Sequence, residues 1–306
     1  MMNHLTAIVG PTGVGKSRLA LHLAQTFNGE IVSADSRQVY RHMNIGTAKP
    51  STEELSLAPH HLVNILDPDE DFSLAQYQVT AYQVIRDIQQ RQKLPLLVGG
   101  SGLYIWAVLE GWQIPSVPPD LELRKSMEEK AVGGGAGELY RELMKVDPSA
   151  AQKIDQRNVR RMIRALEISR KTKVPFSQYR SKGAPDFKIF SIGLTVDRTE
   201  LYRRIDMRVE EMIERGLVAE VEKLWNMGYH FNLPAMSGIG YRQIGMFLRG
   251  EVTLETAIAQ IKFKTHRFVR NQYAWFRLKD RRIRWFEMLG TSDAEIEEAL
   301  IQFWEN

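Results

Sequence analysis

The octapeptide Gly10-Pro11-Thr12-Gly13-Val14-Gly15-Lys16-Ser17 constrains this chain more than any other stretch. Leu5-Thr6-Ala7-Ile8-Val9 before it is an apolar run of strand length, and Arg18 to Ala24 after it reads as a helix with Leu19 and Leu23 on one face. Gly-x4-Gly-Lys-Ser between a strand and a helix is the phosphate-binding loop pattern in the context it requires. Its glycines permit turns closed to other residues and bring successive N–H groups close to an anion. The helix N-terminus adds partial positive charge at the same point. Lys16 supplies a full charge on a flexible stem, and the Ser17 hydroxyl can ligate magnesium held by the phosphates. Gly10 to Ser17 is therefore the expected diphosphate or triphosphate site, with Mg2+ as its cofactor. The fold expected around it is α/β, a P-loop NTPase-like parallel sheet flanked by helices.

Two further strands support that sheet. Glu30-Ile31-Val32-Ser33-Ala34 ends at Asp35-Ser36-Arg37-Gln38-Val39-Tyr40, and in such sheets ligands bind beyond the carboxyl ends of the strands. Asp35 thus belongs to the same edge as the phosphate loop. A helix N-cap would explain Asp35 alone, but it leaves Arg37, Gln38 and Tyr40 without a purpose. Leu94-Pro95-Leu96-Leu97-Val98 ends in Gly99-Gly100-Ser101, where many phosphate-loop NTPases carry an aspartate that helps hold magnesium. The lack of that carboxylate argues against a hydrolytic motor or switch and opens space for a substrate, with Ser101 as a hydrogen-bond partner. Between these strands, His60-His61 lack companions at metal spacing and read as packing or hydrogen-bonding residues. Leu62 to Leu66 reads as a strand. Ser73 to about Arg91 reads as a long helix.

From about residue 116 the chain becomes helical and charged. Asp120 caps a helix to about Ala131, Gly133 to Gly137 reads as a flexible joint, and a basic helix runs from Asn158 to Lys171. Arg157, Arg160, Arg161 and Arg164 recur at spacings that allow them one side. Strand character returns at Phe187 to Leu194, so residues 116–185 are expected to form an all-helical insertion domain in a core built from 1–115 and 186–306. A helix capped by Asp197 or Thr199 follows. It carries Arg204 and Arg208, the candidates to neutralise a leaving diphosphate, and an amphipathic helix is expected near Leu254 to Ile261.

Charge bears on the partner. The net formal charge is +4 and the isoelectric point near 9.1, modest overall but concentrated. Lys262 to Arg284 carries nine basic residues, Arg267 and Arg270 among them, against Asp280 alone, with Phe263, Phe268, Tyr273, Trp275 and Phe276 interleaved. Mixed cationic and aromatic surfaces suit an RNA backbone with unstacked bases. The acidic stretch Asp293 to Glu298 reads as a solvated helix. Zero cysteines exclude a thiolate nucleophile and Cys-ligated zinc. Neither a signal peptide nor a membrane span is legible, so a cytoplasmic protein and a monomer are expected.

Taken in order, the phosphate loop, Asp35-Ser36-Arg37-Gln38-Val39-Tyr40, Asn44-Ile45-Gly46-Thr47-Ala48-Lys49-Pro50, Leu97 to Tyr104, Arg164-Ala165-Leu166-Glu167 and Gly240-Tyr241-Arg242-Gln243 resemble the tRNA dimethylallyltransferase family. The resemblance runs from Ala7 to about Arg277. It implies transfer of a dimethylallyl group from dimethylallyl diphosphate to N6 of the adenosine 3′ of a tRNA anticodon. It implies Asp35 as general base, Thr12 to Ser17 on diphosphate and magnesium, and Asp35, Ser36, Arg37 and Gln38 on the target base. It further implies that Ser101 and Arg124 touch RNA, that Arg160, Arg161, Met162, Ile163 and Arg164 meet the anticodon arm, and that Tyr241, Arg242 and Gln243 belong to the tRNA-binding set. Three positions depart from the family pattern. Ser101 stands for a threonine, Arg270-Asn271-Gln272 for Lys-Arg-Gln, and His42 for a frequent glycine. A small-molecule or nucleoside kinase would share the loop and a carboxylate base, and an RNA-binding protein without chemistry would share the basic helices. The first does not need the basic helical parts, and the second does not need Asp35 beside a magnesium-diphosphate site.

Overall fold

The structure, a computed structural model, describes every residue except Met1, Met2, Ser181, Ala184 and Asn306. Six strands form one wholly parallel sheet: β1 (His4–Val9), β2 (Gly29–Ser33), β3 (His60–His61), β4 (Leu94–Gly99), β5 (Lys188–Thr195) and β6 (Ile283–Glu287). Their spatial order is β3-β2-β4-β1-β5-β6. β2 and β4 are buried throughout, and β1 from Leu5 onwards, as expected of parallel strands covered on both faces. Because all strands run the same way, the turns after β1, β2, β4 and β5 open on one edge of the sheet.

Helices α1 (Lys16–Thr26), α2 (Thr52–Leu57) and α3 (Leu74–Gln90) connect the first four strands, and α4 (Gly102–Leu109) follows β4. The chain divides into two compact units, and the smaller consists of Leu74–Gln76 with Glu110–Pro185. This unit holds α5 (Leu121–Lys130), α6 (Ala136–Val146), α7 (Pro148–Lys153) and α8 (Val159–Thr172) around Met127, Leu143, Met162, Ile163 and Leu166. Asp120, Asp147 and Asn158 cap its helices through their side chains. The glycine run is not a joint. A π-helical turn at Ala131–Gly135 links α5 to α6, and Gly134 within it takes φ +89°, a conformation that glycine adopts without a Cβ penalty.

The sheet unit resumes with α9 (Arg198–Glu214), capped by Asp197 at the Thr199 and Glu200 amides, then α10 (Leu217–Asn226), α11 (Tyr241–Leu248), α12 (Leu254–Trp275) and α13 (Asp293–Glu305). Three expectations need correction here. Residues 62–66 are a loop, not a strand. Leu62 and Asn64 take positive φ values of 62° and 57°, which no strand permits, and β3 is confined to the two histidines. The helix expected to end near Ile261 continues to Trp275 and contains most of the basic aromatic stretch. The remainder of that stretch includes β6, paired in parallel with β5. The acidic C-terminal segment is no solvated tail. Ile296, Ala299 and Leu300 are buried in the main core, Arg18 makes a bidentate pair with Asp293, and His22 meets Glu297.

The two histidines bond as their sequence context suggests, His60 to the Ala58 carbonyl and His61 to the buried Glu30. His42, in the place of a family glycine, has φ +65°. It adopts the left-handed conformation that glycine takes without a Cβ penalty. No helix among the described residues is long and apolar enough to cross a membrane.

Candidate functional site

Two cavities open at the carboxyl edge of the sheet and meet. The first, of about 430 Å³, is lined by the loop from Thr12 to Ser17, by Gly99 and Gly100 after β4, and by Arg204 and Arg208 of α9. The second, of about 370 Å³, is lined by Ser36, Arg37, Ser101, Gly238 and Ile239 with apolar residues of α9 and α12. Both share Thr12, Asp35, Thr47, Ala48, Arg208, Met212 and Phe268. One carboxylate and one guanidinium therefore stand where a cationic chamber joins a more apolar one.

The cationic chamber is built from backbone turns and one helix. Lys16 folds back to donate to the Pro11 carbonyl at 2.7 Å. Its ammonium is closely enclosed by protein although the residue keeps some surface on the chamber. That burial, with the Arg208 charge adding to it and Asp35 opposing, lowers the Lys16 value to about 7. Arg208 Nη1 reaches Thr12 Oγ1 at 3.5 Å. Burial works against its charge too, while Asp35 and Glu211 support it. Two cations with depressed affinity for their protons, facing loop amides and a helix N-terminus, make a pre-formed place for a polyanion. Arg204 lines the same chamber but is paired with Glu200 at 2.7 Å.

Asp35 lies two residues beyond the end of β2. One carboxylate oxygen accepts the Arg37 amide at 2.8 Å, which fixes its direction. The Ser36 amide donates to Ser101 Oγ at 3.2 Å, so the turns after β2 and β4 are stitched together at the edge of the second chamber. Arg37 spans the second chamber to the Pro234 and Ala235 carbonyls and the Ser237 hydroxyl. Gln38 lines the first chamber instead. Its amide accepts from Ser33 and donates to the Thr47 and Ala48 carbonyls, holding the wall of the chamber.

That wall, residues 44–50, rests on two charges, the half-buried Glu220 and the buried Lys49. Glu220 of α10 accepts the amides of Asn44, Ile45 and Gly46 and the Tyr241 hydroxyl. A Cβ on Gly46 would lie 2.5 Å from the Tyr241 ring, so only glycine lets the loop approach it. Lys49 turns inward to the Tyr40 carbonyl and to the side chains of Asn44 and Asn64, and burial brings it down to about 8 against the pull of Glu220.

For magnesium, the chamber offers the Ser17 hydroxyl with Asp35 on the same walls. Among the described residues no group of three or more His, Cys, Asp or Glu side chains is placed to hold a metal. Such a sparse oxygen donor set suits an ion that takes most of its ligands from phosphate and water.

The family model described as IPP transferase matches residues 38–279, and the one described as Isopentenyl transferase matches residues 3–64. The chain belongs to the IPP transferase family. A tRNA dimethylallyltransferase of Roseiflexus castenholzii is 55% identical over 273 residues, 89% of each chain. The crystal structure of a tRNA isopentenylpyrophosphate transferase from Bacillus halodurans covers 99% of this chain and 97% of its own, with a TM-score of 0.74 and 40% identity. That of a eukaryotic dimethylallyltransferase acting on tRNA reaches a TM-score of 0.81 at 27% identity, over 98% of this chain and 78% of that one.

Within this IPP transferase, the expected RNA residues divide into surface and support. Arg160, Arg161, Arg242, Arg267 and Arg270 are exposed, and Arg270 also donates to the Tyr202 hydroxyl at 3.2 Å. Met162 and Ile163 are core residues of the helical unit, Tyr241 is 1% exposed, and Gln243 caps α11 through the Gly240 amide. Those four side chains support a surface and do not form it, because burial leaves them nothing to offer RNA. Arg124 and Arg164 both bind the fully buried Glu167. On α12, Lys264, Phe268, Asn271 and Trp275 form one exposed row and Phe263, Arg267 and Arg270 another. Tyr273 and Phe276 pack inward. Two residues of the site escape sequence reasoning. Glu220 carries no local motif, and Gln272, embedded in Arg270-Asn271-Gln272, binds the phosphate loop 260 residues away.

Proposed function

We propose that this chain transfers the dimethylallyl group from dimethylallyl diphosphate to N6 of the adenosine 3′ of the anticodon in tRNA. The observation that carries this reading is the junction of the two chambers at Asp35 and Arg208. A diphosphate seated on Gly13 to Ser17 and a flipped adenine in the neighbouring chamber would meet there. The N6 amine is a weak nucleophile because its lone pair is delocalised into the ring. As nitrogen attacks the allylic C1, the C1–O bond breaks, diphosphate leaves, and the N6 proton passes to the Asp35 carboxylate. Lys16, Arg208 and the loop amides offset the charge that grows on the leaving oxygen. The Ser17 hydroxyl would hold magnesium, which would supply further charge neutralisation at the diphosphate. Residues of α12 that combine cations with exposed Phe263, Phe268 and Trp275 suit a loop with unstacked bases.

Incubation of the protein with unmodified tRNA, magnesium and labelled dimethylallyl diphosphate tests the reading. Label should enter tRNA and be lost when the target adenosine is replaced. Phosphate moved from labelled ATP to a small acceptor, with none of the prenyl label in RNA, would instead identify a kinase.

A further inference from the structure

Gln272 lies near the end of α12 with 3% of its surface exposed, and both ends of its amide are spent on backbone. Oε1 accepts the Thr12 N–H at 2.9 Å, and Nε2 donates to the Gly100 carbonyl at 3.0 Å. A backbone N–H only donates and a carbonyl only accepts, so the amide has one possible orientation. The two partners belong to different turns. Thr12 is in the phosphate loop and lines both chambers, and Gly100 is in the turn after β4. A Cβ on Gly100 would stand 2.1 Å from Nε2, so the turn is glycine where the amide lies against it. One turn further along, the Trp275 ring occupies the space over Gly102, and Trp106 Nε1 donates to the Trp275 carbonyl.

We infer that Gln272 is a positioning residue for the transfer, fixing the start of the phosphate loop against the glycine turn so that diphosphate and target base meet across Asp35. The inference rests on the transferase reading above. Gln272 acts through Thr12, whose hydroxyl is the contact of Arg208 and whose backbone sets where the loop begins. Loss of either amide bond frees two turns that share one chamber wall. A displacement on the order of 1 Å at a reacting centre costs about 10²-fold in rate.

Two variants of the full-length protein test this in the labelled-transfer assay. Gln272→Met keeps the length of the side chain and removes both bonds. It should lower kcat by about 10²-fold while tRNA affinity stays within about twofold. Gln272→Glu keeps the acceptor for Thr12 but sets a carboxylate oxygen against the Gly100 carbonyl. Only when protonated does the new side chain donate there as the amide did. The carboxyl of glutamic acid titrates near ~4.3 in water, so the variant-to-wild-type rate ratio should rise at least about threefold from pH 8 to pH 5.5. Lys16, Asp35, Lys49, Glu54, His60 and Glu211 line the same chamber in both proteins, and the ratio removes their common contribution. A Met variant as fast as wild type overturns the inference. So does a flat ratio, which would assign the loss to packing, and so does a parallel loss of tRNA affinity, which would assign Gln272 to the RNA surface. Wild-type protein that transfers no label would instead refute the transferase reading.

Discussion

Lys16 holds its charge at a place that disfavours it, and this gives substrate binding a proton signature. Burial first, then the Arg208 charge, bring its value down to about 7, with Asp35 only partly opposing. A diphosphate beside the ammonium favours the charged form and raises that value. Above pH 7 the free protein has largely lost this proton and the complex regains it. Binding therefore takes up close to one proton at pH 8 and little at pH 6, and affinity falls as pH rises, by up to about tenfold per unit. Calorimetric titration of the diphosphate in two buffers of different ionisation heat reads the uptake directly. No uptake at pH 8 would mean that Lys16 does not meet the anion. At Tyr241 the expected effect is on the fold. Its hydroxyl donates to the Glu220 carboxylate at 2.6 Å, and burial together with that carboxylate raises its value. Tyr241→Phe should cost about 1–3 kcal/mol in urea unfolding and leave tRNA affinity unchanged, since the ring faces Gly46 and not the surface.

At the scale of elements, the buried Glu167 organises the helical unit. Burial would raise its carboxyl, but Arg124, the Asp120 amide and Arg164 overcome that and hold it at about 2. A folded value below the ordinary 4.5 contributes stability that is present above pH 4.5 and lost as pH falls towards 2. Glu167→Gln should therefore cost about 3 kcal/mol near neutrality, with the gap to wild type closing below pH 4.5 in urea titrations. This element also shows how far sequence reaches. The arginine spacing of α8 and its cap at Asn158 are local signals, and the structure has both. That Arg164 turns inward to Glu167 while Arg160 and Arg161 remain outside depends on which face α5 covers, which spacing alone does not encode. The phosphate loop, Asp35 and the strands before them are legible because strand, turn and helix chemistry lie within a few residues. β6 is hidden inside a basic stretch whose charges obscure its alternation. Gln272 and Glu220 act on partners 172 to 260 and 174 to 176 residues away, and no local pattern announces such contacts. His42 is the converse case. Histidine in the place of a family glycine leaves the shape of that loop open in the sequence, and the backbone at φ +65° shows that the left-handed turn is kept.

Across the whole molecule the parallel sheet gathers four turns on one edge, and α9 and α12 close over them. Sequence-distant residues thus share two chambers with Asp35 at the junction. The cations exposed along α12 are expected to act on phosphates without reading bases, so Lys264→Glu combined with Arg267→Glu should weaken tRNA binding and reduce the slope of log affinity against log salt by about 1.4 to 1.8. An unchanged slope would remove these side chains from the RNA surface. The account as a whole turns on Asp35, which is asked to take a proton and not to hold RNA. Asp35→Asn keeps the size and the acceptor for the Arg37 amide but is no base. The most direct measurement is its single-turnover transfer of labelled dimethylallyl groups to saturating tRNA, read beside its tRNA dissociation constant. The account predicts a rate about 10² to 10⁴ lower with tRNA affinity within a few-fold of wild type. An undiminished rate, or an equal loss of rate and affinity, would contradict it.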